Sequence, residues 1–141
     1  MLILRNINSK TIIMSVKYSL SQKGNPSDPT APKKFYANAR SSGELTFRNL
    51  SKEIADGSTT VSDTDVLAVL NDLTKLLARH LADGKIVRFG DFGSFQVSIS
   101  SEGAETEEKF NASLIKSAKI LFRPGIDLKN TLLTLKYEKA R

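Results

Sequence analysis

The chain has 141 residues, with 21 Lys and Arg against 15 Asp and Glu and a formal net charge of +6. This length favours one domain with an appendage. The lack of cysteine excludes a disulfide scaffold, a thiolate metal site and a cysteine nucleophile. No apolar run approaches the roughly 20 residues that a membrane-spanning helix requires. A basic balance permits a polyanionic partner, and the charge is unevenly spread. Residues 1–40 hold seven basic side chains against one acid, 41–95 six against eight, 96–115 one against four, and 116–141 seven against two. Both ends are basic and the middle is acidic.

Residues 1–13 contain Arg5 and Lys10, and Asn6, Asn8 and Ser9 interrupt the apolar positions. No small-residue cleavage site follows, so this is not read as a secretory signal. Met14-Ser15-Val16-Lys17 is a more natural beginning, and residues 1–15 are expected to be a disordered tail or a start-site extension. Residues 16–43 are expected to form an N-terminal extension with short strands. Val16-Lys17-Tyr18-Ser19-Leu20 alternates, and three prolines make 24–32 a loop. Lys33-Lys34-Phe35-Tyr36-Ala37 reads as a second strand. Basic residues beside aromatic ones suit phosphate contact and stacking. They also suit an edge strand whose lysines discourage aggregation, which is the simpler reading.

Thr46 can cap a helix with apolar positions at Phe47, Leu50 and Ile54, ended by residues 56–60. Ser62-x-x-Asp65 caps the next, with Val66, Leu70, Leu73, Leu77 and Leu81 as its stripe. Val69 and Leu76 widen that stripe and Leu67 flanks it. Two helices and a small sheet cannot cover so broad an apolar surface in a single copy, which points to a partner subunit. Gly84 then stops the helix. Ile86, Val87 and Phe89 form a strand. Gly90-Asp91-Phe92-Gly93 forms a turn from two glycines and an Asp that tolerates the left-handed region.

Phe95, Val97 and Ile99 alternate with Gln96 and Ser98, so one face of this strand points inward. Residues 101–108 make an acidic loop, which Phe110, Leu114 and Ile115 interrupt. Ala118, Ile120 and Phe122 alternate with Lys119, Leu121 and Arg123 in a returning strand. After Pro124-Gly125, a last helix carries Leu128, Leu132 and Leu135, flanked by Ile126 and Leu133.

Enzymatic chemistry finds little support. His80 is the only histidine and sits near the end of a helix, where a cation is favoured. No Ser/His/Asp arrangement has a credible local motif. Glu102, Glu105, Glu107 and Glu108 lack the ligand spacing of a calcium loop. Gly90-x-x-Gly93 is followed by a strand and by no Gly-Lys-Ser/Thr, so it is not a phosphate loop. No catalytic residue, metal, cofactor or small-molecule substrate is expected.

Asp91-Phe92-Gly93-Ser94-Phe95, followed by Phe122-Arg123-Pro124-Gly125-Ile126-Asp127-Leu128-Lys129, resembles the signature of the bacterial histone-like HU/IHF proteins. Those proteins carry a Gly-Phe-Gly-(Thr/Ser/Asn)-Phe turn, a hairpin arm and a Phe-(Lys/Arg)-(Pro/Ala)-Gly-x-x-Leu-Lys segment opening the last helix. The likeness covers roughly residues 44–136, and the leading third is similar to an HU-related subgroup with added N-terminal sequence. It implies an α+β fold: an intertwined homodimer with N-terminal helices under a small antiparallel sheet, a β-hairpin arm and a C-terminal helix. Residues 44–141 would be the HU-like domain. The implied function is largely sequence-independent binding of double-stranded DNA by a nucleoid-associated protein in the cytoplasm. The residues it nominates are Lys85, Arg88, Gly93, Ser94, Lys116, Lys119, Arg123 and Lys129, with backbone amides at Gly93, Ser94 and the last helix facing phosphates.

Two departures matter. The arms of HU proteins are basic and end in Arg-Asn-Pro, whose proline wedges between base pairs; this arm has no proline and is acidic. Asp91 replaces the first glycine of the turn and adds negative charge near the expected DNA face. Proline intercalation therefore does not carry over, and weaker, shallower and more salt-sensitive binding than in a typical member is expected. A protein–protein assembly module on an HU-like scaffold, with weak or lost DNA binding, is the alternative.

Overall fold

The computed structural model describes residues 14–57 and 60–141. The expected tail lies almost wholly outside the described residues, as do positions 58–59 after the first helix. The chain divides into two compact units: one takes the residues up to Glu44 together with Thr134–Arg141, the other Leu45–Leu133.

The first unit is a three-stranded mixed sheet. β1 (Val16–Lys23) and β2 (Lys34–Arg40) form an antiparallel hairpin with Lys17 opposite Arg40 and Lys23 opposite Lys34. A short C-terminal strand, β6 (Tyr137–Lys139), pairs parallel to β1 with Val16 beside Tyr137 and Tyr18 beside Lys139. The amide of Val16 donates to Lys136 O (2.8 Å) and that of Ala140 to Tyr18 O (2.8 Å). Lys17 and Ser15 both donate to the Glu138 carboxylate across the same pair of strands. These bonds hold the carboxyl of Glu138 below the usual range, the Lys17 bond being the larger cause.

The second unit holds the helices and an antiparallel sheet. α1 (Phe47–Gly57) begins on a reciprocal cap: the amide of Asn49 donates to Thr46 Oγ1 (3.3 Å), and that of Thr46 to Asn49 Oδ1 (3.0 Å). This is a capping box with Asn as the returning residue. α2 (Asp63–Ala82) is capped by Ser62, whose Oγ accepts from the amide of Asp65 at 3.1 Å. Its hydroxyl donates in turn to Asp65 Oδ2 at 2.8 Å. Gly84, with φ +73°, ends the helix. The amide of Lys85 reaches back to His80 O (3.0 Å) and that of Gly84 to Leu81 O (3.0 Å). This pair of bonds is a Schellman motif, which satisfies carbonyls the helix leaves open.

Val66 and Leu81 are the large apolar side chains of the described residues that are buried. Val69, Leu73 and Leu76 of α2 stand exposed. The expected stripe therefore exists, and it extends beyond what one copy covers.

The sheet runs β3-β4-β5, from β3 (Val87–Arg88), β4 (Gly93–Ser101) and β5 (Ile115–Pro124). Val87, Phe95 and Phe122 stand in register across it, as do Arg88, Ser94 and Arg123 one position along. Neighbouring positions point to opposite faces. One face is therefore apolar and the other carries the arginines. On the apolar side Phe89, Phe92, Phe95 and Phe122 form an aromatic cluster with ring centroids 4.8–6.4 Å apart. Further out, Val97 faces Ile120 and Ile99 faces Ala118; Ile99 is 59% and Ile120 62% exposed.

α3 (Ile126–Leu133) closes the unit. It stops earlier than its leucine spacing suggests, so Leu135 lies beyond it. The chain instead turns toward β6, whose ladder with β1 competes with further helix.

The architecture is α+β, as the sequence implied.

Candidate nucleic-acid interface

The site is built by a close approach of two turns. Gly90–Phe92 forms a single 3-10 turn, with Gly90 at φ +57° and Gly93 at φ +140°. Among the described residues only glycines take positive φ, so the two glycines carry the turn and Asp91 stays in an ordinary conformation. A Cβ on Gly93 would lie 2.4 Å from Arg123 O and 2.7 Å from Phe122 Cε2. One on Gly125 would lie 2.2 Å from Asp91 O. The amide of Gly125 donates to Phe92 O at 2.9 Å, tying the Pro124-Gly125 corner to the turn. No side chain fits between them.

This packing leaves an open cleft of about 240 Å³ lined by Arg88, Gly90, Gly93, Ser94, Arg123, Pro124 and Gly125. Arg88 and Arg123 sit one strand to either side of Ser94, about 10 Å apart at two strand spacings. Neither makes an ion pair among the described residues. Asp91 is not part of the lining, although it lies in the turn that builds it. The cleft thus presents two guanidinium groups, a hydroxyl and bare backbone. Guanidinium is suited to phosphate because its planar fork donates two parallel hydrogen bonds.

The structure brings together four of the eight nominated residues, Arg88, Gly93, Ser94 and Arg123. Lys119 lies on the same face of β5, opposite Ser98 and four register positions out from Arg123. Lys129 lies on α3, its amide bonded to Gly125 O at 3.0 Å. Lys85 is paired with Asp83 (3.1 Å), and Lys116 with Glu102 (2.9 Å) at the far end of the hairpin. The backbone role expected for Ser94 is not available. It has a paired strand on each side, so its amide points into the ladder and its hydroxyl is what it offers. The carbonyl of Gly93 accepts from the amide of Phe89 at 2.8 Å. Gly90, Pro124 and Gly125 were not nominated individually. Their signal in the sequence is two glycine-bearing turns on either side of the arm.

Two lysines of the arm are paired with its own acids, and Glu107 and Glu108 leave it acidic. Lys109 pairs with Glu105 (2.8 Å), and Lys116 with Glu102. Short 3-10 turns at Glu107–Lys109 and Ala112–Leu114 fold the tip, and the amide of Glu102 donates to Leu114 O at 2.9 Å. No group of three or more His, Cys, Asp or Glu that could hold a metal occurs among the described residues. No helix there is long and apolar enough to cross a membrane.

A family model described as an HU domain fused to a wHTH, Ig or glycine-rich motif matches residues 14–139. No curated protein matches the sequence. Among solved structures, a candidate bacterial DNA-binding protein from Bacteroides vulgatus is similar at 13% identity and a TM-score of 0.59. The match covers 89% of this chain and 48% of that one, so this chain spans about half the length of that protein. That likeness is one of fold.

Proposed function

The chain belongs to the family of HU domains fused to wHTH, Ig or glycine-rich motifs, and on that footing we propose that it is a non-enzymatic DNA-binding protein contacting duplex phosphates as a homodimer. The binding is largely independent of sequence and serves a histone-like, nucleoid-associated role in the cytoplasm. The observation that carries this reading is the row Arg88–Ser94–Arg123, open on a glycine-walled cleft with no acid in its lining. Two unpaired guanidinium groups and a hydroxyl suit phosphate oxygens, and phosphate contacts position a duplex without reading its sequence. Lys119 and Lys129 extend the positive surface beyond the cleft.

The dimer follows from the uncovered apolar faces. Val69, Leu73 and Leu76 on α2, with Val97, Ile99 and Ile120 on the sheet, lack cover in one copy. A second copy removes this surface from water at about 25 cal/mol per Å², and folding is then coupled to association.

Titration of the full chain against duplex DNA at about 50 and 200 mM salt tests the function. Binding at the lower salt with a marked loss at the higher is expected. An intact dimer that does not bind at the lower salt rejects the reading. The paired lysines of the arm favour the other role, an assembly module on the same scaffold. That reading requires association with wild-type strength after both cleft arginines are neutralised and no DNA retention before it.

A further inference from the structure

The β1–β2 hairpin of the first unit carries a second concave surface, separate from the arginine cleft. Lys23 and Lys34 stand directly opposite each other, and Ser21 and Tyr36 form the next pair on that same face. Alternation puts Lys23, Lys34 and Tyr36 on one side of the sheet. They line a cleft of about 410 Å³ with Asn25, Pro26 and Pro32 among its walls. That volume lies within the range of pockets that hold small organic groups.

The electrostatics are unusual. Like charges directly opposite on a sheet repel and destabilise it. Neither lysine has an acidic partner among the described residues. The acid of the connecting loop, Asp28, is turned to its own bend. Its Oδ1 accepts from the amide (3.0 Å) and hydroxyl (2.6 Å) of Thr30, which lower its pKa. It does not line the cleft. Tyr36 is 49% exposed beside the paired lysines.

We infer that this hairpin cleft binds single-stranded nucleic acid, with Lys23 and Lys34 on adjacent phosphates and a base stacked on Tyr36. A polyanion relieves the repulsion between the lysines. The ring selects the class of polyanion: a duplex offers backbone charge but keeps its base faces stacked, whereas an unpaired strand supplies both. The site uses residues of the first unit only. It stands or falls independently of the arginine cleft.

The test is fluorescence anisotropy of the full chain with a labelled oligothymidylate of about 20 nucleotides and, separately, a duplex of equal length. Lys23→Gln with Lys34→Gln is expected to weaken single-strand binding about tenfold and to flatten its log–log salt slope by about 1.4. Tyr36→Leu is expected to weaken it about tenfold with the slope unchanged, and Tyr36→Phe to retain it. Duplex binding stays within about threefold in all these variants. In Arg88→Gln with Arg123→Gln the losses reverse, duplex binding falling while single-strand binding holds. Unchanged single-strand affinity in the lysine and leucine variants, with wild-type circular dichroism, overturns the inference. So does an equal loss of both ligands, or displacement of the oligothymidylate by polyglutamate as readily as by unlabelled strand. Loss of duplex binding by the wild type alone overturns the proposed function and leaves this site standing.

Discussion

The two ends of the β4–β5 hairpin contain the same kinds of residue and do different things with them. At the base, Arg88 and Arg123 face a cleft without acidic neighbours in its lining. At the tip, Lys109 and Lys116 are engaged by Glu105 and Glu102. Exposed pairs of this kind add at most about 1 kcal/mol to stability. They do cancel charge where an HU arm would carry it. A count of basic residues therefore says little about binding; what decides is whether geometry leaves a cation free and gives it a wall to work against. The wall at the base exists because two glycine turns touch.

The largest expected effect comes from breaking that wall. Gly125→Ala forces a Cβ to within 2.2 Å of Asp91 O, backbone that cannot give way without moving the turn. A loss of about 3 kcal/mol or more is expected, read from the urea midpoint. An unchanged midpoint shows that the two turns are not rigidly joined. Next, Arg88→Gln with Arg123→Gln should reduce duplex affinity at least tenfold and lower the salt slope by about 1.8, with stability little changed. An equal loss from Lys109→Gln with Lys116→Gln would erase the contrast between base and tip.

The reverse experiment sharpens the comparison. Glu102→Gln with Glu105→Gln frees two lysines, and duplex affinity should rise by about threefold with a steeper salt dependence. No change places the arm outside the DNA contact altogether. The smallest effect serves as a control in the other unit. The Glu138 carboxyl, held below the usual range by Lys17 and Ser15, supports the β1–β6 pairing while ionised. That support is complete above the ordinary glutamate pKa and is lost as pH falls through the lowered one. A carboxyl-carbon titration by NMR should find the midpoint below that of an unstructured glutamate, and Lys17→Gln should raise it.

Much of the second unit was legible residue by residue. Thr46 and Ser62 cap their helices because a short oxygen-bearing side chain before an apolar run has few better bonds to make. Phe95 and Phe122 alternate into the same face because strand geometry allows little else. The C-terminal strand was not legible. Tyr137–Lys139 is three residues long, too short for a period, and its partner Val16 lies at the opposite end of the chain. Leu132 and Leu135 suggested more helix, since local spacing cannot register a distant edge with free hydrogen-bonding groups. The pairing of Lys116 with Glu102 escaped notice for the same reason: the loop between them had to fold first.

The sequence by itself determined the first two helices and their caps, the strands flanking the arm, the aromatic face of the sheet and the family signature around Gly93 and Gly125. Each of these follows from neighbours a few residues apart, where backbone conformation and side-chain period act directly. Tertiary structure alone decided which cations stay free, which acids silence the others, and how the last strand joins the first. Those outcomes depend on groups far apart in sequence meeting within a few ångströms, a distance that only the folded backbone sets.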